Sequence, residues 1–172
     1  MNNYFRMSAI ALALSLGSQM AVAAQDADDF VEDASAKGVA EVQVGKLAQD
    51  EKGVSADVKE FAKQMVTDHT AANEKLAAIA KSKNLEVSED PMLMDKAKAM
   101  ILEMREKSFD QAYANNQVSA HEQAIKLYKE EAENGKDPEL KAFAKATLPT
   151  LEKHLEHAKK LAAAHGGDAA KK

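Results

Sequence analysis

Residues 55–80 read SADVKEFAKQMVTDHTAANEKLAAIA. Val58, Ala62, Met65, Leu76 and Ala80 recur at intervals close to whole helical turns, so they form one apolar stripe on an α-helix, with charged residues on the other faces. A strand would require alternation with a period of two, which this stretch lacks. Ser55 offers an N-cap before the stripe, and the stripe fades into Lys81, Ser82, Lys83 and Asn84. In the middle of the apolar face stands His69, with Asn73 beside it. The stretch therefore predicts a long amphipathic helix whose buried side carries a polar residue.

The same period extends in both directions. From Asp28 to about Gly53, Phe30, Ala34, Gly38, Val42 and Gly45 fall on one side of a first helix. Downstream, Asp90-Pro91 opens a stretch free of Gly and Pro until Gly135. As one helix it would be roughly 65 Å long, a poor match for its neighbours. We read 85–104 as a crossover containing a short helix rich in Met92, Met94, Met100 and Met104, and about 106–134 as the third main helix. The fourth begins at Asp137-Pro138-Glu139 and runs to about Ala164, with Pro149 expected to kink it. The domain limits that follow are a signal peptide over 1–24, a bundle domain over 25–165 and a disordered, solvated tail over 166–172.

Composition agrees with an all-helical chain. Among 172 residues there are 34 alanines against seven glycines and three prolines, which favours helix over sheet. Zero cysteine removes disulfides, thiol nucleophiles, zinc knuckles and iron–sulfur ligation together. The formal charge of −5, with lysines interleaved among acids, excludes a phosphate-backbone binder and so nucleic acid as a partner. Another protein or a second copy of the chain stays open as a partner.

The N-terminal segment reads as an address. One basic residue in Met1 to Arg6, an apolar run from Met7 to Leu16, and Ala21-Val22-Ala23 form the pattern of a secretory signal peptide, cut after Ala23 or Ala24. The run has about ten residues, short of the roughly 20 that cross a bilayer. A soluble protein exported to the periplasm or beyond is the expectation.

The two halves resemble each other. Glu41-Val-Gln-Val-Gly-Lys-Leu and Val58-Lys-Glu-Phe-Ala-Lys parallel Glu122-Gln-Ala-Ile-Lys-Leu and Leu140-Lys-Ala-Phe-Ala-Lys at offsets of 80 to 82. Two related hairpins joined by a crossover make a ferritin-like four-helix bundle. The run Phe61-Ala-Lys-Gln-Met-Val-Thr-Asp-His-Thr-Ala-Ala-Asn73, with Phe109-Asp110, His121-Glu122 and Thr147-Leu-Pro-Thr-Leu-Glu-Lys-His-Leu155, resembles the bacterial family called domain of unknown function 4142. The resemblance covers about residues 28–163. It implies an exported protein with a ferritin-like fold, often labelled an outer membrane protein, and it implies no activity. The alternating strands of a membrane barrel are missing from the sequence.

The candidate site comes from polar residues on buried faces. At 100° per residue, Glu41 lies between Phe30, Ala34 and Ala48, and His121 shares a side with Gln117, Tyr113, Ala124 and Tyr128; His154 sits with Leu140, Thr147, Leu151 and Ala158, while Glu122 points to the polar face. Measured from the hairpin turns, Glu41 and His69 are roughly 18 and 24 Å along their helices, and His121 and His154 roughly 22 and 27 Å. All four therefore fall near mid-length, and Asp110 belongs to another layer. Two explanations are open for Glu41, His69, His121 and His154: hydrogen-bonded core residues, with Glu41 paired to Lys37, or a mononuclear site of three imidazoles and one carboxylate suited to zinc or another divalent transition metal.

A di-iron centre of the ferritin-like oxidases would need Glu-x-x-His on two helices, but Val66 and Leu151 precede His69 and His154. His157 and His165 read as exposed histidines near a helix C-terminus, with surface metal binding through His154-x-x-His157 and His165 the rival. The methionines read as an apolar cover, with soft Cu(I) capture the rival. No nucleophile motif or Gly-rich phosphate loop occurs. The sequence points to a non-enzymatic binding or stress-protective protein. A metalloenzyme with an open coordination position and a partner-binding protein are the competing classes.

Overall fold

The computed structural model describes residues 26–88 and 108–167. They form four helices, α1 (Ala27–Asp50), α2 (Ala56–Ser82), α3 (Phe109–Asn134) and α4 (Pro138–Ala164), with no strand among the described residues. The signal peptide and the methionine-rich crossover helix expected at 85–104 lie wholly or mostly outside the described residues. No helix among the described residues is long and apolar enough to cross a membrane.

The local signals act where the spacing puts them, with two differences. Asp137 accepts from the backbone N–H groups of Glu139 and Leu140 at 2.9 and 3.0 Å with Pro138 in the first turn, a cap worth about 1 kcal/mol. Asp26 holds the Ala27 N–H at the start of α1. Ser55 occupies the N-cap position of α2, but its hydroxyl does not close the helix. That hydroxyl lies 3.5 Å from His165 Nε2, and the Ser55 N–H donates to Asp110, because α3 and α4 bring competing partners to this turn. The tail is the second difference. Gly166, exposed and at φ +73°, lets Gly167 donate to the Ala162 carbonyl, and the Gly166 carbonyl accepts from Gln111, so these two residues are tied to the end of α4.

Contacts at the two ends fix the topology. At one end the α1–α2 turn meets the start of α3 and the end of α4, through Ser55–Asp110 and a 2.9 Å contact between His165 and Asp57. At the other, Lys83 beyond α2 pairs with Asp137 at 2.8 Å, and Phe30 near the start of α1 packs edge-on against Tyr128 of α3. Helices α2 and α3 therefore run in the same direction. Each hairpin is antiparallel, α1 also packs on α3, and α2 on α4.

The apolar core has two halves. Val44, Val58, Phe61, Met65, Tyr113, Val118 and Leu161 form one, while Phe30, Val31, Leu76, Ile125, Tyr128, Leu140, Phe143 and Leu151 form the other. Burying each large side chain contributes about 1.5–3 kcal/mol before chain entropy is counted. On every helix the residue expected to point inward falls between the two halves: Glu41, His69, His121 and His154.

Candidate metal centre

His69 on α2, His121 on α3 and His154 on α4 are 7%, 1% and 2% exposed. Their ring centroids form a nearly equilateral triangle, with separations of 5.5, 5.5 and 5.3 Å. Each ring offers a nitrogen to the centre, and these nitrogens all lie within 4.8 Å of one another. His69 Nε2 and His121 Nε2 are 3.4 Å apart, within hydrogen-bonding reach of each other. A tetrahedral ion with metal–nitrogen bonds of about 2.0–2.1 Å spaces its ligand atoms by about 3.4 Å.

The outward nitrogens decide the tautomers. His121 Nδ1 is 2.8 Å from the Gln117 carbonyl, which can only accept, so the proton is on Nδ1 and the Nε2 lone pair faces inward. His154 Nε2 donates to Asp68 Oδ2 at 2.9 Å, which leaves His154 Nδ1 as a lone pair, and that atom is buried with no hydrogen-bond partner. Carbonyl and carboxylate acceptors behind imidazoles are how proteins orient metal-bound histidines. Burial first, then the His121 and His154 rings, hold His69 down at about 3, so it is neutral at physiological pH. Burial also lowers His154 against the opposing pull of Asp68. Neutral imidazole is the form that ligates metal.

Glu41 reaches the same layer but is not among the three groups whose ligand atoms converge. Its Oε2 accepts from Gln117 Nε2 at 2.7 Å, and no ion pair with Lys37 forms among the described residues. Burial raises its pKa, with His121, Gln117 and Lys37 opposing. The pairing expected within α1 is thus replaced by one across to α3, because Gln117 is wholly buried and its amide must donate somewhere.

A cavity of about 210 Å³ adjoins the triad and is lined by all three histidines, Glu41, Asp68 and residues of all four helices. The small side chains Ala34, Gly38, Ala72 and Ala120 leave this space at the level of the rings. Asn73, expected beside His69, also lines it.

The other candidates separate cleanly. His157 packs its ring on Phe61 at 4.7 Å, and His165 pairs with Asp57, so neither joins His154 in a surface cluster. Asp110 sits at the bundle end, as its spacing requires. Glu122 is exposed and pairs with Lys159 at 3.4 Å. The four methionines lie outside the described residues. The spacing missed Asp68, whose signal was its place directly before an inward histidine, at the edge of the stripe from which a carboxylate reaches the next helix.

The comparisons with curated proteins and with solved structures return no match. A family model described as Domain of unknown function (DUF4142) matches residues 12–161, a span that contains α1 to α3, most of α4 and the whole histidine layer. By that match the chain belongs to the family of the domain of unknown function 4142.

Proposed function

We propose that this is an exported, non-enzymatic bundle protein that holds one divalent transition metal, zinc being the best match, between its two core halves. His69, His121 and His154 are the ligands. Glu41, held by Gln117 in the same layer, supplies compensating charge. The observation that carries this reading is the pair of inward lone pairs: His121 Nε2, set by the Gln117 carbonyl, and the buried, unpartnered His154 Nδ1, set by Asp68. A buried polar atom with no partner costs on the order of 1–3 kcal/mol, and a cation at the centre of the triangle would remove that cost.

The parallel α2 and α3 favour a ferritin-like arrangement. The residues do not fit the di-iron chemistry of that class, because Val66 and Leu151 stand where bridging glutamates would be required and Asp68 already accepts a hydrogen bond from His154. Three neutral imidazoles suit a single borderline-soft ion. The apolar run before Ala23 favours export, with binding or stress protection outside the cytoplasm as the role.

Elemental analysis after zinc reconstitution tests the proposal. Wild type is expected to carry one zinc per chain, and His69→Ala and His121→Ala to carry none. Zinc at a hundred times its dissociation constant should stabilise wild type by about 2.7 kcal/mol and leave both variants unmoved. Equal stoichiometric zinc in all three proteins would exclude the triad as the site.

A further inference from the structure

Three imidazoles do not complete the coordination of a divalent transition ion, and structural zinc sites normally close with a fourth protein ligand. Here the triangle opens onto a cavity of about 210 Å³, enough for several waters at about 30 Å³ each. The carboxylate that could close the site, Glu41, is tied to Gln117 at 2.7 Å. Asp68 is tied to His154 at 2.9 Å. Resting on the metal reading above, we infer that the loaded centre takes a small exogenous anion, of the size and charge of azide or a short monocarboxylate, at its fourth position.

The sign of the ligand follows from the charges around the cavity. With both ionised, Glu41 and Asp68 would balance a dication held by three neutral imidazoles. Lys37 also lines the cavity, where Glu41 feels its charge, and brings the sum to one net positive charge. In a partly enclosed space that charge attracts a monoanion and discriminates against cations. Donors that could orient such a ligand line the same space, among them the Asn73 amide and the Thr150 hydroxyl. Ala72, also in the lining, is small where a larger side chain would occupy the room the anion needs.

The test uses the full mature chain loaded with cobalt(II), whose visible bands report coordination, titrated with sodium azide. The bands are expected to shift saturably with one azide per metal. Lys37→Gln should weaken azide binding about tenfold without weakening cobalt binding, since one nearby positive charge is removed and no metal ligand is touched. Ala72→Phe should bind cobalt and respond to azide at least tenfold more weakly. Cobalt bands that ignore azide would overturn the inference while leaving the metal site intact, as would an azide affinity unaffected by both substitutions. A wild-type chain that takes up no cobalt would overturn the metal reading and this inference with it.

Discussion

Asp68 and Glu131 show how differently two carboxylates of one bundle behave. Asp68 is half-buried and accepts a hydrogen bond from His154, fixing which nitrogen of that ring faces inward. Asp68→Asn keeps the size but weakens the acceptor, and metal affinity is expected to fall about 10- to 100-fold with the fold retained, as measured by competition with a chromophoric chelator. Glu131 on α3 is 1% exposed and its Oε2 has no partner. Burial, with Asp137 adding to it and Lys141 opposing, pushes its pKa up to about 7. In the unfolded chain the same group titrates near 4.3. Between these values the folded protein holds a proton that the unfolded chain has lost, so the contribution of Glu131 to stability falls as pH rises from about 4 to 7 and is flat above. Glu131→Gln should therefore gain about 1–2 kcal/mol at pH 8 and little at pH 4, read from urea midpoints at the two pH values. The inward histidines were legible because each interrupts an apolar stripe. Asp68, Gln117 as the partner of Glu41, and the isolation of Glu131 were not, because each depends on a neighbouring helix whose rotation the one-dimensional spacing does not specify.

At the scale of the element, helix limits were legible to within a few residues, since Gly53, Gly135, Asp137-Pro138 and the stripes all punctuate the same places. The role of Ser55 was not, because a cap competes with whatever other helices bring to the turn, here Asp110 and His165. Val42, expected in the stripe of α1, is half-exposed, while Glu41 and Val44 are buried, because repeated steps of four residues drift off one face of a helix with 3.6 residues per turn. Gly45 explains how closely α1 approaches α2: a Cβ there would lie 3.0 Å from the Ala62 carbonyl and 2.8 Å from Val66 Cγ2. Backbone cannot yield as a flexible side chain does. Gly45→Ala should destabilise the protein by about 1–3 kcal/mol in equilibrium unfolding, despite a gain in helix propensity of about 1 kcal/mol. If Gly45→Ala were more stable than wild type, the close packing of α1 on α2 would be contradicted.

At the scale of the molecule, a polar layer divides one bundle into two apolar halves, and the convergence of three imidazoles follows from helix direction as much as from residue type. Mid-length positions meet whichever ends the hairpin turns occupy, which is why the level of the site was legible before the topology. The exclusion of Glu41 from the converging nitrogens was not, because it depends on Gln117 crossing from α3. What this arrangement is built to hold is decided most directly by X-ray absorption at the zinc edge of the reconstituted, full mature protein. The expected spectrum has three imidazole nitrogens and one further light atom at about 2.0–2.1 Å, and His121→Ala, which holds no zinc, gives no protein-bound edge. A first shell containing sulfur, or one of oxygens with no imidazole scattering, would contradict the assignment of the metal to the histidine layer.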